Sequence, residues 1–113
     1  MTKTDDFFDT NVLVYLVSGD IGRSNCSDQL LKNGGTISVQ VLNEFVRVTR
    51  RKFNMGWNDV RLVLANVRRA CTVVPLDIAT HDLALNLAER HGYQIYDAMI
   101  VAAAQLAGCT TLY

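Results

Sequence analysis

The sequence predicts a three-layer α/β/α domain built around a central parallel sheet of four strands. Three observations support that class. The apolar, β-branched runs are short, as in strands covered on both faces; helical stripes separate them; and Gly, Asn or Pro stands at most of the junctions. Sheets of this kind bind ligands at the carboxyl ends of their strands, so polar residues there are the first candidates for function.

Taken in order, Phe7 and Phe8 open an apolar run that Asp9, Thr10 and Asn11 interrupt, which reads as a strand ending near Asp9 and then a helical turn. Ser24 to Lys32 reads as a short helix stopped by Asn33, Gly34 and Gly35, and Thr36 to Ser38 as a minimal strand whose Ser38 caps the next helix. Leu42, Phe45, Val46, Thr49 and Phe53 form the buried stripe of that helix. A further helix from Asn58 to about Ala70 turns Val60, Val63, Leu64 and Val67 inward and leads to a strand, Thr72 to Val74, that Pro75 closes. Asp77 or Thr80 caps a helix ended by Gly92, Ile95 to Leu106 forms the last helix before Gly108, and Thr110 to Tyr113 is the final strand.

At 113 residues and 50% hydrophobic content, the chain fits one domain over residues 1–113 without the help of disulfides or a structural metal. Cys26, Cys71 and Cys109 are odd in number and widely spaced, which suits reduced thiols in a cytoplasmic protein. His81 and His91 stand ten apart, unlike the one-turn spacing that places two imidazoles on one metal. Lys plus Arg and Asp plus Glu are 11 each, so any nucleic-acid contact needs a local patch. Asp5 and Asp6 replace the basic start of a signal peptide, and no apolar run approaches the roughly 20 residues of a membrane span, so a soluble protein without a membrane partner is expected.

Three acids fall at ends of this pattern: Asp9 after the first strand, Glu44 in the second turn of the helix after the second, and Asp97 in the first turn of the last helix. Each has an ordinary structural explanation, as an Asx turn, an ion pair with Arg47, or compensation of the helix dipole. Together they imply more. Two unit charges 4 Å apart repel by about 4 kcal/mol at an effective dielectric of 20, and a divalent cation turns that cost into attraction. A ligand set of hard oxygens without His or Cys selects Mg2+ or Mn2+, which keep several waters and accept substrate phosphate oxygens. The chemistry expected is hydrolysis of a phosphodiester.

The stretches Phe7-Phe8-Asp9-Thr10-Asn11-Val12-Leu13-Val14-Tyr15, Leu42-Asn43-Glu44-Phe45 and Ile95-Tyr96-Asp97-Ala98-Met99-Ile100-Val101-Ala102-Ala103-Ala104 resemble the signature segments of PIN domains, above all VapC-like toxins of toxin–antitoxin pairs. The likeness extends through the closing Gly108-Cys109-Thr110-Thr111-Leu112-Tyr113. It implies a PIN-like fold and a Mg2+ or Mn2+ dependent endoribonuclease in which Asp9, Glu44 and Asp97 are the catalytic metal ligands and Thr10, Asn11 and Ser38 line or orient the site. It also implies an RNA substrate, an antitoxin that covers the acidic cleft, and a homodimer. Members of that family usually continue past the Thr-Leu-Tyr strand into a loop bearing a fourth acid and a short last strand, whereas this sequence ends at Tyr113. The expectation is therefore a domain lacking that loop and strand here, with a tail to be found beyond it.

Arg47, Arg50, Arg51 and Lys52 gather near the proposed site and suit RNA phosphates, although basic residues also stabilise a helix C-terminus. Arg68 and Arg69 share that ambiguity. Trp57 is read first as a packing residue and second as a base-stacking one, and Tyr96 as a cleft-lining residue. Two rivals are a receiver-like signalling domain, disfavoured because Lys3, Lys32 and Lys52 leave its last strand without a lysine, and a non-catalytic PIN-like domain that binds RNA or a partner.

Overall fold

A computed structural model describes residues 6–113; Lys3 and Asp5 lie outside them. The elements run β1 (Asp6–Phe7), α1 (Thr10–Tyr15), α2 (Ile21–Lys32), β2 (Gly35–Ser38), α3 (Val39–Lys52), α4 (Trp57–Ala70), β3 (Cys71–Val74), α5 (Ile78–His91), α6 (Ile95–Leu106) and β4 (Thr111–Leu112). The four strands form one sheet in the order β3-β2-β1-β4, with every pairing parallel, as the sequence predicts. Steps from β1 to β2 and from β2 to β3 cross the sheet one way and the step from β3 to β4 returns. Right-handed crossovers therefore place α1–α4 on one face and α5–α6 on the other. Among the described residues no helix is long and apolar enough to cross a membrane.

The centre of the sheet is held by few bonds and much burial. Phe7 pairs with Thr36 of β2 and Leu112 of β4, the Phe8 amide donates to the Thr36 carbonyl at 3.0 Å, and the Tyr113 amide donates to the Phe7 carbonyl at 2.8 Å. Phe7, Phe8, Leu13, Ile37, Val41 and Phe45 are fully buried around them, joining α1 and α3 to the sheet. On the opposite face Ala84 and Leu87 of α5 pack against Ala98, Met99 and Ala102 of α6. The small residues let those two helices approach closely.

The boundaries that differ from expectation have local causes. The second helix starts at Ile21 rather than Ser24 because Asp20 caps it, its side chain accepting the Arg23 amide at 3.1 Å; Ile21 is exposed and Gly22 is a poor helix former, so neither signals the start. The fourth helix begins one residue early, at Trp57, after Gly56 in the cap position. Strands β1 and β4 are only two residues long, and β3 starts at Cys71, a buried thiol that works as a small apolar residue. Between the two candidate caps of α5, Asp77 fills the role: it accepts the Thr80 amide at 3.0 Å and the Thr80 hydroxyl at 2.8 Å. Gly92 adopts the left-handed conformation that ends this helix.

Gly35 sets how closely β1 and β2 meet. A methyl group there would lie 2.6 Å from Cε2 and 2.7 Å from Cζ of Phe8, whose fully buried ring cannot swing away. Gly35→Ala is expected to cost about 1–3 kcal/mol by overpacking. Ser38→Ala, which removes the oxygen accepting the Val41 amide at the start of α3, is expected to cost about 1 kcal/mol. Urea denaturation of both variants checks the pair, and a Gly35→Ala midpoint equal to the parent's would contradict the close approach.

Candidate active site

Parallel pairing of β1 and β2 sends both strands out at the same edge, where each runs within two residues into a helix. Asp9 occupies the cap position of α1 with extended backbone, half-buried, and its Oδ1 accepts the Thr10 amide at 2.6 Å. The Thr10 side chain is buried, and its hydroxyl donates to Oε1 of Glu44 at 3.3 Å. Thr10 thus links two acids that are 35 positions apart in the chain. Glu44 is half-buried in the second turn of α3, whose start Ser38 caps with Oγ 3.3 Å from the Val41 amide. Asp97 lies exposed in the first turn of α6, after a Gln94 cap that makes no side-chain bond.

The electrostatics tie the third acid to the other two. Burial pushes the Asp9 carboxyl above its ordinary value, the Thr10 amide partly opposes this, and the charge of Asp97 pushes the same way as burial. Glu44 is also raised, mainly by burial; the Thr10 hydroxyl opposes, Asp9 adds repulsion, Arg47 opposes, and Asp97 adds repulsion again. Asp9, Glu44 and Asp97 therefore form one mutually repelling group. The alternative of a Glu44–Arg47 ion pair is not what forms: among the described residues the ion pairs are Arg23–Asp20 and Lys32–Asp28.

Of the six residues singled out by sequence, the structure joins Asp9, Thr10, Glu44 and, through its field, Asp97. Asn11 is exposed on α1, and its side chain makes no hydrogen bond among the described residues. Ser38 is buried and caps α3, so it acts on the site through the placement of Glu44's helix. Among the described residues no three His, Cys, Asp or Glu side chains stand, as they lie, in a group that could hold a metal ion. The donor set still suits a hard cation of the Mg2+ class, which takes one or two carboxylates directly and keeps waters between itself and the rest. Charge repulsion and partial desolvation are the costs such an ion would remove.

Beside the acids lies a cleft of about 500 Å³ lined by Gln40, Asn43, Glu44, Arg47 and Tyr96. Tyr96 is there as expected, with its ring largely exposed. Gln40 and Asn43 were not anticipated; Gln40 precedes Glu44 by four residues and Arg47 by seven, the spacing of one helix face, and that periodicity was the available signal. Trp57 is half exposed, and its ring is covered on one side by the Arg50 guanidinium, 4.2 Å from the ring centre. The packing reading of Trp57 is thus partly met, through a cation–π contact. Cys26 and Cys71 form no disulfide, and burial pushes the Cys71 thiol up to about 11.

The chain is thus a single-sheet α/β domain with two acids brought together at the exit of its central strands. The particular family follows from comparison: the model of the PIN domain matches residues 7–113, and the chain belongs to that family. Solved structures agree in fold. VapC20 of Mycobacterium tuberculosis, a sarcin–ricin loop cleaving toxin, superposes with a TM-score of 0.78 at 22% identity, covering 96% of this chain and 87% of that one. A toxin–antitoxin complex from Klebsiella pneumoniae gives 0.72 at 22% identity, over 96% and 84% of the two chains. VapBC2 from Rickettsia felis, bound to a DNA fragment from its promoter, gives 0.68 at 20% identity, over 98% and 87%. No curated protein sequence matches the chain. The receiver-like alternative falls with this family assignment, and β4 indeed carries no lysine.

Because Asp9 and Glu44 are raised in the folded chain, the fold binds their protons more tightly than the unfolded chain does. Their contribution to stability is full below the ordinary values of 3.8 and 4.5 and is lost as pH rises through the raised folded values. In metal-free buffer at pH 7, Glu44→Gln, which keeps an acceptor for Thr10, is expected to melt above the parent, with the gap closing below pH 4.5. A thermal melt series across pH checks this. A lower melting temperature for Glu44→Gln at pH 7 would show that the Arg47 attraction outweighs burial and repulsion.

Proposed function

We propose that this chain is a Mg2+ or Mn2+ dependent endoribonuclease, the toxin of a toxin–antitoxin pair, acting in the cytoplasm. The observation that carries the reading is the coupling of Asp9, Glu44 and Asp97, three acids from separate elements that repel one another at the exit of the central strands. Membership of the PIN-domain family and the fold shared with VapC and VapBC structures support it. Two of those neighbours are toxin–antitoxin assemblies, which supports an antitoxin partner over the acidic cleft. A homodimer is proposed on family resemblance alone.

Asp9, Glu44 and Asp97 are the residues that would hold the cation. When bound, it supplies Lewis-acid polarisation of the phosphodiester and activation of the attacking water. The chain's own groups have definite tasks. Thr10 holds Asp9 and Glu44 with its amide and hydroxyl, so neither carboxylate spends freedom finding its position. Arg47 lines the cleft next to Glu44 and is placed to neutralise a neighbouring phosphate. Tyr96 offers an exposed ring in the same cleft for stacking on a base.

Cleavage of a labelled RNA with Mg2+ or Mn2+ tests the proposal. Activity is expected to vanish with chelator and return with metal. Asp97→Asn, at an exposed site where it should not disturb folding, is expected to lower the rate by more than the roughly 10–100-fold typical of outer positions around a metal. Unchanged cleavage by Asp97→Asn would remove that residue from the site. A parent that binds RNA and metal-independent partners yet cuts nothing would leave the non-catalytic reading standing.

A further inference from the structure

Gln40 is a polar side chain to which the reaction gives no task. It is only 8% exposed, yet its amide makes no hydrogen bond among the described residues. No buried side-chain nitrogen or oxygen among those residues lacks a partner, so neither amide atom of Gln40 is sealed in protein: both reach the open cleft that the residue lines. A capping role does not account for it. Ser38 caps α3 through the Val41 amide, and a glutamine that closes such a cap stands three residues after it, whereas Gln40 stands two after.

Its neighbours give the cleft the parts of a base-reading site. Gln40, Asn43, Glu44 and Arg47 follow one another at i, i+3, i+4 and i+7, a single stripe of α3. Asn43 adds a second amide, exposed and without a side-chain hydrogen bond among the described residues. Tyr96 brings an exposed ring from α6 to the same cleft, whose volume of about 500 Å³ lies in the range of small-molecule sites. An aromatic face beside side-chain amides suits a flat ring whose edge carries both donors and acceptors, as a nucleobase does. Gln40 precedes Glu44 by about 6 Å along the helix and Arg47 follows it, so a base held at Gln40 belongs to a nucleotide next to the acids.

We propose that Gln40, with Asn43 beside it, determines base specificity: the two amides read the edge of an adenine that stacks on Tyr96, next to the bond to be cut. The proposal rests on the ribonuclease reading and deepens it, from RNA in general to a preference for one base at one position. A carboxamide presents an acceptor and a donor side by side. Adenine offers the matching pair on two edges, N6 with N7 and N6 with N1, whereas guanine and the pyrimidines offer it on one edge only. A purine also gives the larger ring for stacking. Arg47 takes no part in this choice, since the phosphate it faces carries no base identity.

The test measures fluorescence anisotropy in EDTA with a short labelled oligouridylate and with the same strand carrying one central adenine, cytosine or guanine. The parent is expected to bind the adenine strand about tenfold more tightly than the all-uridine strand. Gln40→Met, which keeps the length of the side chain and removes its amide, is expected to erase that ratio and leave the all-uridine affinity near the parent's. A merely structural role would weaken all four strands alike and leave the ratio standing. Tyr96→Leu is expected to weaken every strand about tenfold, because stacking is indifferent to sequence. Gln105→Met, the same change at an exposed position of α6, should match the parent. With Mg2+ added, the parent should cut beside the adenine and Gln40→Met should cut without that preference. Equal parental affinity for the four strands, or an adenine preference that survives Gln40→Met, would overturn the proposal and leave the ribonuclease reading untouched. If Gln40→Met does not fold, exposed Asn43→Ala carries the test, and an adenine preference left intact there would overturn the proposal equally. A parent that prefers the adenine strand yet never cuts it would keep the base site and remove the ribonuclease reading.

Discussion

The amide of Thr10 donates to Asp9 and its hydroxyl to Glu44, so one buried residue ties together carboxylates delivered by two neighbouring parallel strands. The link exists because β1 and β2 run in the same direction and each turns into a helix at the same edge. It also depends on how near the strands lie, which Gly35 permits by leaving space for the ring of Phe8. Sheet direction, a missing side chain and a buried threonine thus precede any chemistry at the site. With Asp97 added from α6, the arrangement gathers negative charge in a half-buried place, and the raised Asp9 and Glu44 carboxyls record the cost.

That cost has a counterpart in the helices beyond. Lys and Arg are concentrated on α3 and α4, and Arg47 eases the charge of Glu44 without forming an ion pair with it. The zero net charge of the whole chain hides this division. The α3–α4 hairpin, residues 39–70, has seven Lys and Arg against two Asp and Glu and so carries a net charge of +5, and its field is screened over about 10 Å at ordinary salt. The influence of such a surface is local, so groups bordering the cleft, such as Arg47, weigh most on an anion placed there.

Much of this was legible in the sequence, for identifiable reasons. The helical stripe of Leu42, Phe45, Val46 and Thr49 located α3 and so placed Glu44 in its second turn, and the Gly34-Gly35 stop located β2. Asp9, Glu44 and Asp97 were singled out because acids at element ends fit a pattern of three motifs. Less visible were features that arise only from packing. Thr10 was expected to line the site, but its two-way link depends on a distance between α1 and α3 that no local pattern encodes. Ser38 was legible as a cap, and its buried oxygen is used that way. The start of α2 was missed because Ile21 is exposed and Gly22 disfavours helix, leaving Asp20 as the only cue. Asn43, beside Glu44, went unremarked because an exposed amide on a helix has no signature until the cleft around it forms.

The central claim is that Asp9, Glu44 and Asp97 share one divalent cation. Calorimetric titration of the parent and of Asp9→Asn, Glu44→Gln and Asp97→Asn with Mn2+ tests it without reference to catalysis. The account predicts saturable binding in the parent that weakens at least about tenfold in each variant, since every substitution removes a hard, charged donor from one site. Equal affinities in the parent and all three variants, or no heat of binding at millimolar Mn2+, would contradict it.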